Sequence, residues 1–369
     1  MIFYGKYIYA ILGVLFSLSI NAQNFKNKSV PSNLNFYNSS KVQSYSSVDL
    51  DRVLQKGLTI AETTRIIQRY IDSNDKIILP NRNLTISKDG LIIGSNKTLI
   101  FQKNTSLKIE ANALDNYGIL NIINVKNVSI LNANLSGDRY EHKSKSGEWG
   151  IGIRILGSEN IIIDNFMIRD CWGDGIYVGR KGNRYSKNVT ILNGIVDNNR
   201  RNGISVTGVD GLKMNNVISS NSNGKGPEIG IDFEVNDSRD EMTNIKINNI
   251  VTYNNNGNGL VFSISKMLNN KSVKKNVIVD INNYSDYYSK KVGLLIAAVR
   301  DNFGLLSGKI TLNNLQFNYN AQPFIIKNIG SDGLDVSVGE YVFNNQINKN
   351  FSKKEFERVI KSNRRVILK

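Results

Sequence analysis

Hydrophobic and polar positions fall into one repeated phrase along the middle of the chain: a glycine, an apolar residue, a variable residue and a second apolar residue. It reads Gly152-Ile153-Arg154-Ile155, Gly175-Ile176-Tyr177-Val178, Gly203-Ile204-Ser205-Val206 and Gly230-Ile231-Asp232-Phe233, at spacings of 23, 28 and 27 residues. Side chains alternate across a strand. Each phrase therefore predicts a short strand with two apolar residues facing inward and Arg154, Tyr177, Ser205 or Asp232 facing outward. A period in the twenties marks stacked coils rather than a packed globule. If the coils stack in parallel, the outward residues form a column with about 4.8 Å between rungs.

A second phrase begins with asparagine: Asn127-Val128-Ser129-Ile130, Asn160-Ile161-Ile162-Ile163, Asn188-Val189-Thr190-Ile191, Asn244-Ile245-Lys246-Ile247 and Asn276-Val277-Ile278-Val279. Asparagine tolerates left-handed backbone and bonds to nearby main chain, which suits a bend. Stacked in register, its amides can form a ladder. The glycine phrase continues at Gly259 and Gly293 and fades past Gln322. Ahead of the coils, Ile66, Ile67, Tyr70 and Ile71 carry helical spacing behind Thr59 or Thr63 as a cap. This predicts a helix near 60–74 that covers the open end of the stack and its strand edges. The chain then divides into a signal segment over 1–22, a polar, flexible leader over 23–50, the coils over 51–345, and a tail over 346–369 with a short helix after Ser352.

The formal net charge is +16. Such an excess favours acidic partners: anionic polysaccharide, nucleic acid or an anionic envelope. The lysines are scattered, and the chain opens with Lys6, an apolar stretch from Tyr7 to Ile20, and Ala22 at a cut site. Those two features weigh against nucleic acid. They predict a secreted protein that acts in the periplasm, at the cell surface or outside the cell. The apolar run is short for a membrane span, so no transmembrane span is expected in the mature chain. Cys171 is the only cysteine, which excludes an internal disulfide and predicts a small buried residue.

The opening ETTRIIQRYIDSNDKIILP and the segments GDRYEHKSKSGEWGIGI, CWGDGIYVG, NNRRNGISV and GPEIGIDFEVN resemble the right-handed parallel β-helix proteins of the pectate-lyase-like superfamily, from about residue 55 to 345. The resemblance implies an all-β fold, a right-handed parallel β-helix solenoid with an N-terminal capping helix, and a role in polysaccharide processing. It does not select a reaction, because the superfamily includes hydrolases, lyases, epimerases and non-catalytic adhesins. Polygalacturonase-type members hold their acid and base aspartates on neighbouring coils, and Asp174-Gly175 falls where such motifs usually sit. Those members carry His-Gly on the next coil, where this chain has Asn202-Gly203. Their mechanism therefore does not transfer whole. Many solenoids of this kind trimerise, which leaves a homotrimer open.

The candidate chemistry lies on the outward face. Asp174, Asp232 and Glu234 are the candidate acid and base carboxylates. Asp232 and Glu234 share one strand face, about 6.6 Å apart along the chain, at the inverting end of glycosidase carboxylate spacings. Clustered carboxylates raise one another's pKa, as a general acid requires. Trp149, Trp172 and Tyr177 suit the apolar faces of sugars, and Arg154, Arg200 and Arg201 suit sugar carboxylates. His142, the single histidine, either folds over the first groove strand as a general base or stands in solvent. One histidine excludes most zinc arrangements. The acid–base reading needs no cofactor. Calcium on Asp232, Glu234 and Asp237 is the alternative.

Three readings follow. The first is an enzyme that cleaves glycosidic bonds of an acidic polysaccharide through these carboxylates. The second is a lyase or uronate epimerase, with Arg200, Arg201 or Tyr177 as base. The third is a surface protein that binds polysaccharide without catalysis.

Overall fold

A computed structural model describes residues 25–34, 36–44, 49–54, 57–269, 274–297, 306–327, 333–348 and 351–369. The expected signal segment lies outside the described residues. Among the described residues, the strands pair in parallel, each with its counterpart one coil away, and one isolated antiparallel bridge joins Lys181 to Arg184. Nine strands, one per coil, form one sheet from Leu91–Ile92 to Gln322–Lys327. The remaining strands form a fifteen-stranded sheet. The chain is a parallel β-solenoid of about nine turns with a short N-terminal helix.

The alternation of the glycine phrase fixes the core. Ile153, Ile155, Ile176, Val178, Ile204, Val206, Ile231 and Phe233 are all fully buried. Phe233 stacks on Phe262 of the next coil at 4.3 Å. Each such side chain contributes about 1.5–3 kcal/mol on burial, so the core grows by a similar increment with every coil. The glycines themselves are required by close approach. A Cβ at Gly175 would stand 2.8 Å from the Gly203 carbonyl, and one at Gly203 would strike the Ser219 hydroxyl.

Asparagines make the bends. Asn160, Asn165, Asn188, Asn193, Asn216, Asn244 and Asn249 all have φ between +50° and +56°, a region that asparagine adopts more readily than other side chains. Their amides form the expected ladders. Asn160 donates to Asn127 at 3.1 Å and accepts from Asn188 at 3.1 Å. A second seam runs through Asn193, Asn216 and Asn249 at 2.8 and 2.6 Å.

The N-terminal helix spans Ile60–Ser73. Thr59, not Thr63, is its cap. The Thr59 hydroxyl accepts from the Glu62 amide at 3.2 Å, while the Glu62 carboxylate accepts from the Thr59 amide at 2.9 Å, closing a capping box. Ile67 and Ile71 enter the core. Gln68 does a separate job: its side chain accepts from the Ile92 amide and donates to the Ile92 carbonyl, both at 2.9 Å. The edge of the nine-stranded sheet is thereby satisfied by one side chain of the helix.

The polar composition of residues 23–50 suggests a flexible leader, yet its described part lies against the solenoid. Asn27 bonds to Asn198, the Lys28 amide to Asn221, the Lys26 carbonyl to Asn254, and the Asn38 amide to Asn165. Val30, Leu34, Phe36 and Tyr37 pack on Ile195, Ile218, Val251 and Tyr253 of the outer sheet face. At the other end, the helix Lys353–Lys361 is capped by Ser352 and leads to a final strand, Val366–Leu368, paired with Leu334–Val338.

Candidate active site

Strand register builds the outward column. Arg154 stands beside Tyr177, Tyr177 beside Ser205, and Ser205 beside Asp232. Beyond Asp232 the column continues as Val261, Leu295 and Ile325. The polar stretch of this column, which also includes Asn121 beside Arg154, therefore lies on the second to sixth of the nine strands.

Asp232 is the most perturbed carboxyl of this column. It is only 4% exposed. Burial, reinforced by Glu234 and then Asp174, pushes its pKa up to about 7, against the pull of Arg201 and a 3.2 Å bond from the Asn202 amide. A carboxyl that keeps its proton near neutrality can donate it. Glu234, two residues further along the same strand, is half-exposed and paired with Lys266 at 3.0 Å.

Asp174 sits at a bend and is fully buried. It accepts from the Asn202 main-chain N–H at 3.0 Å, the Ser205 hydroxyl at 2.8 Å and Arg201 Nη1 at 3.0 Å. Burial raises its pKa, while Arg201 and these hydrogen bonds oppose the rise. The residues at the same place in later coils make the same main-chain bond: Asn202 Oδ1 accepts from Ile229 N, and Asn258 Oδ1 from Val292 N, both at 3.0 Å. The bracket is thus a repeating feature. What Asp174 adds to it is the charge that holds Arg201.

The remaining candidates separate into two groups. Arg200, Arg201, Trp172 and His142 are engaged within the protein. Arg201 bridges Asp174 and Glu148. Arg200 lies 3.6 Å over the Trp172 ring and donates to the Gly147 and Trp172 carbonyls. The other contact of Trp172 is His142, stacked at 4.0 Å, and its indole N–H donates to the Ser146 carbonyl at 3.2 Å. The His142 side chain is fully buried, with Nδ1 2.8 Å from Asp138 and Nε2 without a partner. Asp138 also accepts from Tyr117 and Asn112. His142 is therefore neither solvated nor laid over the groove. It pins the loop Gly137–Glu148 through Asp138 and Trp172.

The second group lines a cavity of about 300 Å³: Trp149, Arg154 and Tyr177, joined by Arg180, Lys181 and Asn236. Trp149 is 48% exposed. Arg180 is paired with Asp237 and Asp240 at 2.9 Å each. Arg154 uses Nη2 on Asn116 Oδ1 and on the Tyr117 and Trp149 carbonyls.

The carboxylates considered for calcium are not assembled as a site. Asp237 is held between Arg239 and Arg180, which keep its carboxyl well below the usual range, and Glu234 is neutralised by Lys266. Among the described residues, no group of three potential ligands converges. The repeat pattern places Ser205 outward and Asn202 before Gly203 but assigns neither a role at the site, and it does not single out Lys181 or Lys266. Lys181 lies past the end of the strand Ile176–Gly179, so the alternation that turns Tyr177 outward does not reach it.

No sequence-family model matches the chain. An uncharacterized protein of Bacillus subtilis strain 168, derived from the SPbeta prophage, is 32% identical over 162 residues, which are 39% of this chain and 28% of that protein. The match thus spans little more than a quarter of that relative's length. Among solved structures, endo-xylogalacturonan hydrolase from Aspergillus tubingensis superposes with a TM-score of 0.61 at 13% identity, covering 80% of this chain and 84% of that one. The tailspike protein of E. coli bacteriophage HK620, solved with a pentasaccharide, gives 0.54 at 11% identity over 79% of this chain and 55% of that one. The chain is a parallel β-helix solenoid that shares its fold with polysaccharide-processing proteins.

Proposed function

We propose that this protein is an exported carbohydrate-active enzyme that cleaves glycosidic bonds of an acidic polysaccharide, with Asp232 as the proton donor. The observation that carries this reading is one nearly buried carboxyl on the outward column of the solenoid, flanked in the column by neutral Ser205 and Val261. Glu234 lies two residues on along the same face and serves as the base that activates water. Their separation of about 6.6 Å along the strand leaves room for that water and favours inversion at the anomeric carbon. Lys266 pairs with Glu234 at 3.0 Å, whereas Asp232 is buried and its pKa is pushed up to about 7, so the two carboxyls stand in different electrostatic surroundings. Asp174 acts behind them. Through Arg201, Ser205 and Asn202 it fixes the groups around Asp232. The apolar N-terminal run supports export.

A lyase or epimerase is the second reading, supported by one observation. Tyr177 stands next to Arg154 in the column, a base beside a cation that could neutralise a uronate. Arg200 and Arg201 no longer compete for that base role, since both are engaged in internal contacts.

The test is a product assay on a panel of acidic polysaccharides, following reducing ends and absorbance near 235 nm together. We expect reducing ends without absorbance in the wild type and neither in Asp232→Asn. Absorbance that rises with reducing ends and survives Asp232→Asn would replace hydrolysis by the Tyr177 reading.

A further inference from the structure

We propose that the cavity formed by Trp149, Arg154, Tyr177 and Lys181 is a subsite for an acidic sugar, which places its anionic substituent on Arg154 and its ring against Trp149. The inference rests on reading the outward column as a glycan groove, and adds where, and through which chemical group, the glycan is recognised.

The argument begins with Arg154. Three arginines near the groove have carboxylate partners: Arg201 has Asp174 and Glu148, Arg180 has Asp237 and Asp240, and Arg239 has Asp237, while Arg200 is held over the Trp172 ring. Arg154 has none among the described residues, and its three bonds go to neutral oxygens, all from Nη2. Its Nε and Nη1 meet no protein acceptor among the described residues. A brace between Asn116 and Trp149 accounts for one nitrogen; the others are not among the buried atoms without partners and so reach solvent, where a ligand can meet them. Burial works against the guanidinium charge here and lowers its pKa, so the fold bears a cost that a bound anion would offset.

The surroundings fit the same ligand. Lys181, also on the cavity wall, forms no ion pair with any described residue, and no carboxylate lines the cavity. Its volume of about 300 Å³ lies at the lower end for ligand pockets. Trp149 exposes a large ring at the rim, the feature that favours an apolar sugar face over a small free anion. The register gives the relation to the chemistry. Arg154 is three rungs from Asp232, about 14 Å at 4.8 Å per rung. A chain lying along the column would present one sugar to Arg154 and another to Asp232.

The test measures binding by calorimetry in full-length Asp232→Asn protein. The probes are oligogalacturonate, oligomannuronate and oligoglucuronate, each beside its carboxyl-reduced neutral form, and a sulfated neutral oligosaccharide. At least one charged chain is expected to bind about tenfold or more tightly than its neutral counterpart. Arg154→Gln and Lys181→Gln should each shrink that preference, and Trp149→Ala should weaken charged and neutral chains alike. A preference confined to the sulfated probe and lost in Arg154→Gln supports the subsite and identifies sulfate as the substituent. No charge preference in the parent protein, or a full preference retained in both Arg154→Gln and Lys181→Gln, overturns it. Lys181 is exposed, so its variant carries the test if Arg154→Gln fails to fold. Charge-selective binding by a wild type that forms no product would sink the cleavage reading and leave the subsite standing.

Discussion

At the scale of single residues, the buried aspartates Asp232 and Asp174 differ in their partners: Asp174 is ion-paired with Arg201, and Asp232 accepts from the Asn202 side chain. Asp232 keeps its proton to about pH 7 when folded, whereas an unfolded aspartate releases it near 3.9. Between these values the folded state binds more protons, so this group's contribution to stability falls as pH rises through the window. Asp232→Asn is therefore expected to raise Tm relative to wild type at pH 8 and to change it little at pH 4. Equal shifts at both pH values would mean that Asp232 is not perturbed as the geometry indicates. Asp174 presents the opposite case. An asparagine there would keep the bond to the next coil, as Asn202 and Asn258 do, but would leave Arg201 with Glu148 alone. Asp174→Asn should fold and lose about 3 kcal/mol in denaturant titration. An unchanged midpoint would show that the Arg201 pair carries no stability.

At the scale of elements, the helix Ile60–Ser73 is held to the first strands by its apolar face and by Gln68. Gln68→Ala would leave the Ile92 amide and carbonyl unpaired at the sheet edge. A loss of about 1–2 kcal/mol is expected, with concentration-dependent self-association as edges meet. Sedimentation that stays monomeric at every concentration would argue against this role for Gln68. The same element shows what was readable in advance. Ile67 and Ile71 announce the buried face through their spacing, and Thr59 with Glu62 announces the cap. Gln68 announces nothing, because its partner is a backbone 24 residues away. The coil strands follow the same division. Ile-x-Ile spacing and bend asparagines give strand, face and register. The fates of Trp172, Arg200 and His142 depend on how the loop Gly137–Glu148 folds back, and no periodicity encodes that. The docked leader was hidden for a related reason: most of its bonds are main chain to asparagine, which leaves the segment compositionally polar.

At the scale of the whole molecule, the outward column changes character along the axis. Arg154, Tyr177, Ser205 and Asp232 give way to Val261, Leu295 and Ile325. The candidate site thus occupies the middle coils of the nine-stranded sheet, and the later coils continue the core to the Lys353–Lys361 helix and the final strand Val366–Leu368. The chain's formal excess of 16 positive charges favours polyanions over the surface as a whole, and in the proposed reading Arg154 and Asp232 select among them.

A solenoid ordinarily communicates only between adjacent coils, so its ends can fray one rung at a time. The leader changes that here. Over residues 26–38 it touches the consecutive coils that carry Asn165, Asn198, Asn221, Asn254 and, through Lys28 over the ring, Tyr288. Opening any one of these coils disturbs contacts shared with the rest. The stretch that holds Asp174 and Asp232 should therefore melt as one cooperative block, held at fixed rung spacing until the whole block gives way.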